Sequence, residues 1–383
     1  MKQRVIILGS TGSIGRNTLD VLSTLAGEWD VVGLAAGSQG HVLAEQANRF
    51  RPEAVALATS EQASALDAAL AYTPALFYGD DALVRLVDEV ACDCVVSAVV
   101  GAEGLHATVR AVELGRRVAL ANKESLVMAG GLLIDLQRRA GGEIIPVDSE
   151  HSAIFQAMQA GRAEEVRRVY LTASGGPFRT WSDEEMDDIK VDDALRHPTW
   201  EMGPKITIDS ATMMNKAMEI VEARWLFDLE PEQIEVVIHP ESIIHSLVEF
   251  CDGSLIAQLG TPDMRTPIQY ALTYPARHPC PSHALDLSSV KRLSLESPDQ
   301  ERFPALRLGY EVARRGGTSG AVLNAANEAA VQRFRDGAIH FRDIARHTAR
   351  ALAQHKFVDS PTLDDLFVAD QWARQEVARC IAC

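Results

Sequence analysis

The chain has 383 residues, more than one ordinary hydrophobic core organises, so two or three domains are expected. Its 53 acidic residues outnumber 37 Lys and Arg, and the formal net charge of -16 argues against a nucleic acid or an anionic membrane surface as the main partner. The sequence contains no apolar run of bilayer-spanning length and no visible secretory signal pattern.

The first part of the chain alternates short apolar runs with helix-forming sequence. The runs occupy residues 4–9, 30–37, 54–58, 94–101, 117–122 and 143–148. Continuous Val, Ile and Leu runs that alternate with helices are typical of a parallel sheet covered on both faces. The pattern therefore predicts a Rossmann-like, doubly wound α/β domain over residues 1–148.

The rest of the chain divides into three further segments. Residues 149–273 show a mixed α/β pattern that includes a predicted hairpin, "SLVEFCDGSLIAQLG", over 246–260. A proline-rich start marks a linker over 274–302, and helical periods alone continue from 303 to 383. The sequence thus predicts a nucleotide-fold domain, a catalytic and dimerisation domain, a linker and a small C-terminal helical domain.

The six cysteines are scattered rather than arranged as a disulfide framework. Cys380 and Cys383 have Cys-x-x-Cys spacing, but no second pair stands at the spacing of a zinc site. Reduced thiols in a cytoplasmic protein are the expectation.

A glycine-rich turn follows the first predicted strand. The stretch "ILGSTGSIG" places Gly9, Gly12 and Gly15 between a strand and a helix, where the backbone can approach a pyrophosphate at the helix N terminus. A purely structural turn is the alternative. The second strand ends without the Asp or Glu of an NAD site, which favours NADP, although the polar groups there are Ser38, Gln39 and His41 rather than Arg or Lys.

Polar and glycine residues follow several predicted strands. Because the carboxyl ends of parallel strands share one edge, we expect a single site there. Its candidates are Gly12, Ser13, Ile14, Gly37, Gly101, Gly104, Asn122, Lys123, Glu124, Asp148, Ser149 and Glu150. A lone loop lysine is usually a solvated charge, but next to a nicotinamide Lys123 is better explained as a substrate contact.

Asp148 and Glu150 stand one residue apart after the apolar run "IIPV". On an extended chain they would point to the same side and repel each other, unless a divalent cation lies between them. Glu219 would supply a third oxygen ligand. An all-oxygen ligand set suits Mg²⁺ or Mn²⁺ rather than zinc.

Glu219 belongs to a helix predicted over 209–227, with Asp209 or Ser210 as its N-cap. One interpretation is that this helix presents an anion site formed by Ser210, Asn215 and Lys216 beside the metal ligand. The alternative is an amphipathic helix with a polar flank and a pair between Lys216 and Glu219.

The segment 174–205 is a predicted lid. Gly175, Gly176 and Pro177 stand at one end, and Gly203 and Pro204 stand at the other. Its stretch "HPTWEM" carries a histidine and an aromatic residue without strand or helix periodicity, so a simple buried anchor is the alternative. A closing loop would exclude water from the site.

Several stretches, in this order, resemble the 1-deoxy-D-xylulose 5-phosphate reductoisomerase family from about residue 4 to at least residue 335. They are "GSTGSIG", "LANKESLV", "PVDSEHSAIFQ", "LTASGGPF", "HPTWEMGPKITIDSATMMNKAMEIVEARWLF", "IHPESIIHSLVEFCDGSLIAQLGTPDMRTPI" and "LNAANEAAV". The resemblance implies rearrangement of the substrate's carbon skeleton and reduction with NADPH to 2-C-methyl-D-erythritol 4-phosphate, in non-mevalonate isoprenoid synthesis. It also implies a requirement for Mg²⁺ or Mn²⁺ and a homodimer.

The resemblance assigns roles position by position. It implies metal ligands at Asp148, Glu150 and Glu219, with Lys123 and His197 as further catalytic residues. It implies substrate contacts at Lys123, Ser149, Glu150, Ser174, His197, Ser210, Asn215, Lys216 and Glu219, of which Ser174, Ser210, Asn215 and Lys216 would hold the phosphate. It implies NADPH contacts at Thr11, Gly12, Ser13, Ile14, Gly37, Asn122, Glu124 and Gly203, with Gln39 as a further candidate.

One departure and two alternatives accompany this resemblance. Many family members carry a basic residue and Asn where this chain has Ser38 and Gln39. A homoserine-dehydrogenase-type NAD(P) oxidoreductase acting on another oxo-substrate, or a non-catalytic NADP-sensing protein, would explain the first domain but leave the three carboxylates without a role. The apolar hairpin 246–260 would leave an exposed sheet edge, which another chain must cover, so we expect the hairpin in a dimer interface.

Overall fold

The structure is a computed structural model that describes residues 2–197, 200 and 202–382. Cys383 and part of the predicted lid, Pro198, Thr199 and Glu201, lie outside the described residues. Within the described chain, no helix combines the length and the apolar character that crossing a bilayer requires.

The described residues form strands and helices in an order that begins with a regular β-α alternation. The strands are β1 (Gln3–Leu8), β2 (Trp29–Ala36), β3 (Ala54–Leu57), β4 (Ala75–Tyr78), β5 (Cys94–Ser97), β6 (Arg117–Leu120), β7 (Glu143–Pro146), β8 (Val166–Ala173), β9 (Ile234–Ile238), β10 (Ile244–Phe250) and β11 (Leu255–Leu259). The helices are α1 (Ser13–Thr24), α2 (Gly40–Phe50), α3 (Ala63–Ala69), α4 (Ala82–Glu89), α5 (Leu105–Glu113), α6 (Lys123–Ala140), α7 (Ser149–Ala157), α8 (Asp183–Asp187), α9 (Val191–Ala194), α10 (Pro204–Ala211), α11 (Met214–Leu226), α12 (Arg265–Thr273), α13 (Ala305–Arg315), α14 (Ser319–Arg335), α15 (Asp343–Gln354) and α16 (Leu363–Ala382).

The chain forms two compact units. Unit 1 comprises Met1–Ser125, Leu133–Ser152 and Asp263–His283, and unit 2 comprises Leu126–Leu132, Ala153–Pro262 and Ala284–Cys383. The predicted boundaries at residues 148, 273 and 302 concern parts that fold independently, and they stay a prediction.

Unit 1 contains a seven-stranded parallel sheet in the order β4-β3-β2-β1-β5-β6-β7. Successive residues of a strand face opposite sides, and Val5, Ile6, Ile7 and Leu8 are all fully buried, so β1 is covered on both faces. The strand order reverses between β1 and β5, and ligands of such sheets bind at the carboxyl ends beside this switch point. The predicted Rossmann-like fold is confirmed.

Two details of unit 1 differ from the sequence prediction. β4 was not predicted, because its four residues form an edge strand with a mixed burial pattern that gives little hydrophobic signal. The predicted run 94–101 is a strand for four residues only, Cys94–Ser97, since the chain turns off the sheet towards Gly101. Both differences lie at sheet edges or strand ends, where apolar runs do not mark boundaries.

Unit 2 contains a four-stranded sheet in the order β11-β10-β8-β9, of which the β8–β9 pair is parallel and the other two pairs are antiparallel. The predicted hairpin is present as β10 and β11. Helices α13 to α16 follow, so the predicted C-terminal helical region is confirmed as helical.

Helix α11 is the buried centre of unit 2. Ala217, Met218 and Ile220 are fully buried, and α11 packs against α13 and against β8 and β9. The approach to α13 is close, because a Cβ placed on Gly309 would lie 2.5 Å from the Ala217 carbonyl oxygen. This packing fixes the helix that carries three of the candidate site residues.

The close approach of α11 and α13 gives a stability prediction. Gly309→Ala should lower the free energy of unfolding by about 1–3 kcal/mol, because overpacking outweighs the roughly 1 kcal/mol that alanine gains over glycine in a helix. Urea unfolding measures the difference. Gly27→Ala is the control, since a Cβ there has no atom within 4 Å. Equal stability of the two variants would contradict the packing described.

Candidate active site

The turn after β1 lies at the carboxyl edge of the unit 1 sheet. The N–H of Gly9 donates to the Ala35 carbonyl at the end of β2, at 3.0 Å. A Cβ on Gly15 would lie 2.4 Å from the Gly9 carbonyl oxygen, so α1 packs directly on the turn. Gly12 is the N-cap of α1, and no described side chain caps this helix. Its first N–H groups are therefore available to an anion such as a pyrophosphate.

The side chain of Asn122 forms hydrogen bonds to two neighbouring loops at this edge of the sheet. As the N-cap of α6 it accepts a hydrogen bond from the Ser125 N–H at 2.7 Å. Its amide nitrogen donates to the Gly101 carbonyl at 2.9 Å and also to the Val99 carbonyl. The side chain thus joins the loop after β5 to the loop after β6, which is a structural reason for an amide at this position.

The other cofactor candidates of unit 1 lie at the same edge of the sheet. They are Thr11, Ser13 and Ile14 at the turn, Gly37 after β2, and Glu124 in the first turn of α6. Gln39 is the N-cap residue of α2, where the Gly40 N–H donates to Gln62 Oε1 at 2.9 Å. His41 lies in the same turn, with its Nδ1 3.4 Å from Glu45 Oε1.

Asp148 uses its two carboxylate oxygens differently. Oδ1 accepts from the N–H groups of Glu150 and His151 at 3.1 and 3.4 Å, which makes Asp148 the N-cap of α7. Oδ2 lies 3.1 Å from Lys123 Nζ. The prediction that Asp148 and Glu150 lie on one side of an extended chain is wrong, because the carboxylate ends the strand by satisfying the first N–H groups of a helix.

The carboxylates of Asp148 and Glu150 nevertheless lie together. Each offers an oxygen within 4.8 Å of the other, and the Ser149 hydroxyl donates to Glu150 Oε2. The sequence interpretation did not include His151, whose buried Nδ1 lies 3.4 Å from Asp148 Oδ1. Its signal was its place in an unbroken polar run at a strand end. Asp148 is thus flanked by Lys123 and His151.

The helix predicted over 209–227 is two helices. Pro204 is the first residue of α10, a position that proline favours because its missing N–H is not needed there. The chain breaks at Met213, whose φ is 62°, and α11 follows. The prediction that Asp209 or Ser210 is an N-cap is therefore wrong, since both lie inside α10.

The break brings the candidate phosphate residues to one end of α11. Asn215 and Lys216 occupy its first turn, just after Ser210 near the end of α10. Ser174 follows β8, and its Oγ accepts from the Gly176 N–H at 3.2 Å. Gly176 packs on Ser210, because a Cβ on Gly176 would lie 2.9 Å from the Ser210 carbonyl oxygen. Ser174 and Ser210 are thereby held near each other.

Lys216 and Glu219 form a buried ion pair. Lys216 is 3% exposed and Glu219 is 1% exposed, and Lys216 Nζ bonds Glu219 Oε2. Asn215 Nδ2 donates to Glu219 Oε1 at 2.6 Å. The Lys216–Glu219 pair of the amphipathic-helix alternative is therefore present, but both of its residues are buried. Charges are held in a protein interior at a desolvation cost, so this pair is consistent with a functional site.

His197 connects the lid segment to Ser174. The Trp200 N–H donates to His197 Nδ1 at 2.9 Å, and His197 Nε2 lies 3.2 Å from Ser174 Oγ. Because Nδ1 accepts, the neutral ring carries its proton on Nε2 and donates it to the serine oxygen. Burial lowers the pKa of His197 below its ordinary value, which favours this neutral form.

The structure therefore groups the candidate residues within each unit. Unit 1 brings together Lys123, Asp148, Ser149 and Glu150 at the sheet edge that carries the glycine turn. Unit 2 brings Asn215, Lys216 and Glu219 together in α11, and it brings Ser174 to His197 and to the segment of Ser210. Gly203 is the exposed N-cap residue of α10.

A doubly wound parallel sheet with a glycine turn at its switch point defines a dinucleotide-binding fold. The same carboxyl edge of the sheet carries a lysine and a carboxylate pair, which are groups capable of chemistry on a bound substrate. The class of protein that the fold and the site define is a dinucleotide-dependent oxidoreductase.

Family comparisons identify the chain more closely. Residues 5–130 match the family described as 1-deoxy-D-xylulose 5-phosphate reductoisomerase, residues 144–227 match its C-terminal domain, and residues 259–376 match the family described as DXP reductoisomerase C-terminal domain. A 1-deoxy-D-xylulose 5-phosphate reductoisomerase from Pelodictyon phaeoclathratiforme is 50% identical over 98% of this chain and 99% of its own.

Solved structures agree with this assignment. The reductoisomerase from Zymomonas mobilis in complex with NADPH is 43% identical, with a TM-score of 0.94, and the match covers 100% of this chain and 99% of that one. A DOX-P reductoisomerase in complex with NADPH, fosmidomycin and magnesium is 39% identical, with a TM-score of 0.91 and coverage of 99% and 98%. The chain belongs to the 1-deoxy-D-xylulose 5-phosphate reductoisomerase family, and it is an NADPH-dependent oxidoreductase of that kind. The homoserine-dehydrogenase-type alternative is not favoured.

The environment of His197 gives a prediction for its titration. Its ring should titrate below the ordinary value of 6.5, because burial disfavours the imidazolium and because protonation of Nδ1 would remove the acceptor of the Trp200 N–H. The folded protein then binds fewer protons than the unfolded chain, so this group's contribution to stability is lost as the pH falls from 6.5 through the folded pKa. NMR titration of the ring measures the midpoint, with the urea-unfolded chain as reference. Equal midpoints would contradict the bonding described.

Proposed function

We propose that the chain performs the family's reaction, converting 1-deoxy-D-xylulose 5-phosphate to 2-C-methyl-D-erythritol 4-phosphate, with NADPH at the glycine turn and one divalent ion held by Asp148, Glu150 and Glu219. The observation that carries this proposal is that these partly or fully buried carboxylates lie next to charged and polar side chains. In unit 1, Lys123 Nζ lies 3.1 Å from Asp148 Oδ2, and in unit 2, Lys216 bonds Glu219. Asp148 and Glu219 thus each have a cationic side chain beside them, and Glu150 accepts a hydrogen bond from the Ser149 hydroxyl.

The three carboxylates fit Mg²⁺ or Mn²⁺ because both ions prefer oxygen ligands. When bound, such an ion chelates vicinal oxygens of a substrate and polarises a carbonyl as a Lewis acid. An oxygen of Asp148 and an oxygen of Glu150 lie within 4.8 Å of each other, and Asp148 Oδ1 is the oxygen that caps the helix. The cap fixes the orientation of the carboxylate, so its second oxygen is positioned before any ligand arrives. Magnesium is present in the DOX-P reductoisomerase relative, and manganese is proposed on ligand chemistry alone.

Lys123 is the proposed donor to oxygen atoms of the substrate that become negatively charged during rearrangement. It is the first residue of α6, and its side chain is 14% exposed. Restricted solvent access strengthens the interaction of its ammonium group with a developing oxyanion. Ser149 and Glu150, which are hydrogen-bonded to each other, would contact the substrate beside it.

The phosphate group of the substrate is proposed to bind Ser174, Ser210, Asn215 and Lys216. Two of these residues lie in the first turn of α11, where the partial positive charge of the helix N terminus adds to the lysine charge. His197 orients Ser174 through its Nε2, and the lid segment that carries it would exclude water. Fosmidomycin, present in a relative, is bound together with magnesium.

NADPH is proposed to bind the first N–H groups of α1 through its pyrophosphate. The contacts proposed are Thr11, Gly12, Ser13, Ile14, Gly37, Gln39, Asn122, Glu124 and Gly203. Ser38 and Gln39 would face the adenosine ribose with neutral groups, so the hold on a 2′-phosphate depends on hydrogen bonds and on the nearby His41. NADPH is the nucleotide present in the Zymomonas mobilis relative.

A homodimer in the cytoplasm is proposed as the working form. β11 is the edge strand of the unit 2 sheet, and Leu255 and Leu259 are 55% and 37% exposed. They stand four residues apart and therefore face the same side of the strand. An exposed apolar edge strand pairs with another chain unless it is protected. The cysteines Cys92, Cys94, Cys251, Cys280 and Cys380 are free thiols, which suits a reducing compartment.

The reaction is tested with the purified chain, NADPH, Mg²⁺ or Mn²⁺ and 1-deoxy-D-xylulose 5-phosphate. NADPH absorbance should fall with time, and chelation of the metal should stop the fall. Asp148→Asn should lower kcat about 100-fold or more, because metal charge stabilisation is worth several kcal/mol, while NADPH affinity stays unchanged. Fluorescence titration measures that affinity. Turnover that is indifferent to chelators would contradict the metal site, and loss of NADPH binding in the variant would contradict two separable sites.

The dimer is tested by light scattering after size exclusion. Replacing Leu255 and Leu259 together with Lys should shift the protein from dimer mass to monomer mass, since the charges would be buried in the interface. Val368→Lys is the matched control, because Val368 is 66% exposed on the C-terminal helix α16. A wild-type monomer at working concentration, or a double variant that stays dimeric, would count against this interface.

A further inference from the structure

Helix α14, together with Phe341 and Arg342 immediately before α15, contacts two segments of unit 2 that stand on either side of His197 in the sequence. We call residues 178–187 the front segment, and we call α10, with Lys205 and Asp209, the rear segment. The described part of the chain shows polar contacts from the C-terminal region to both. The proposed function gives the C-terminal helices no role of their own, and these contacts suggest one.

Arg342, immediately before α15, holds the front segment. Its Nη2 donates to the Asp183 carbonyl at 2.9 Å and to Asp183 Oδ1 at 2.7 Å, and its Nε lies 3.2 Å from Asp187 Oδ1. The neighbouring Phe341 packs edge-on against Phe178, with 5.1 Å between ring centroids. The two hydrogen bonds of Nη2, the close ion pair of Nε with Asp187 and the ring contact of Phe341 together restrain the front segment.

The rear segment is held through a chain of charges and amides. Asn327 Nδ2 donates to Asp209 Oδ1 at 2.7 Å, and Lys205 Nζ lies 3.2 Å from Asp209 Oδ2 and 3.8 Å from Glu328 Oε1. Arg374 extends this series of polar contacts, because its Nη2 lies 2.6 Å from Glu328 Oε2. Because Asn327 and Glu328 lie on α14 and Arg374 lies on α16, the network joins α10 to two C-terminal helices.

This network buries polar side chains at positions where apolar side chains would avoid the cost of desolvation. Asp209 is 2% exposed and Asn327 is fully buried. Asn327 Oδ1 lacks a hydrogen-bond partner among the described residues, and such an unpaired buried acceptor costs about 1–3 kcal/mol. Buried polar groups of this kind specify one arrangement of the helices rather than adding stability. The arrangement they specify is that of α10, in which Ser210 is the next residue after Asp209.

We infer that Asp209 and Arg342 are positioning residues for substrate binding, through which the C-terminal helices fix Ser210 at one end of the His197 segment and residues 178–187 at the other. The inference rests on the proposed function, because it assumes that Ser210 and His197 contact the substrate. Neither residue touches reacting atoms. Their effect should appear as weaker substrate binding in an enzyme whose chemistry is intact.

Two variants and a matched control test this inference in the full chain. Arg342→Gln and Asp209→Asn should each raise KM for 1-deoxy-D-xylulose 5-phosphate about tenfold, the equivalent of about 1.4 kcal/mol, with kcat changed about twofold or less. NADPH affinity should be unchanged. Arg342→Lys should recover part of the loss, because a lysine keeps the charge but makes fewer of the bonds. Arg346→Gln, which removes the pair between an exposed arginine and Asp343 on α15, should behave as wild type.

The outcomes separate this inference from the proposed function. A wild-type protein without turnover under any divalent cation would refute the function itself. An active wild type in which Arg342→Gln and Asp209→Asn match the Arg346→Gln control would overturn the inference. It would also be overturned if the two variants lowered thermal stability while leaving KM unchanged, because the contacts would then be merely structural.

Discussion

The buried pair between Lys216 and Glu219 is the interaction on which the site in unit 2 depends. Two charges in a protein interior are stable only when each has a partner and further hydrogen bonds, and here Asn215 supplies one of them. The pair is buried because α11 packs against α13 on one side and against β8 and β9 of the sheet. The same burial limits the screening of the two charges by solvent.

The sequence was sufficient for the parts of the fold that follow from periodicity. Apolar runs at strand spacing gave the parallel sheet, and the rule that ligands bind at its carboxyl edge placed Lys123 and Asp148 in one region. Periodicity could not show that the chain breaks at Met213, because an isolated αL residue leaves the apolar pattern of both flanking helices unchanged. It also could not distinguish a strand that continues to Asp148 from one that ends in a helix cap.

Two residues that the sequence interpretation did not include share one property. Asn327 and Arg342 contact side chains that are distant in sequence, those of Asp209 and Asp183. Their role is set by tertiary contacts, such as the amide of Asn327 on Asp209, and no local pattern encodes a partner more than 100 residues away. The candidate residues at strand ends could be identified from the sequence, because carboxylates, lysines and glycines that directly follow apolar strands form a local pattern.

The hydrogen bonds around Ser174 restrict which groups can be bound there. Its oxygen already accepts two hydrogen bonds, one from the Gly176 N–H and one from His197 Nε2, each at 3.2 Å. An sp³ hydroxyl oxygen has two lone pairs, so the remaining capacity of this serine is its own O–H proton. Whatever binds at this point must offer a lone pair. An ester, a sulfonate or a phosphonate satisfies that polarity, whereas an ammonium group would find no available lone pair on Ser174 Oγ.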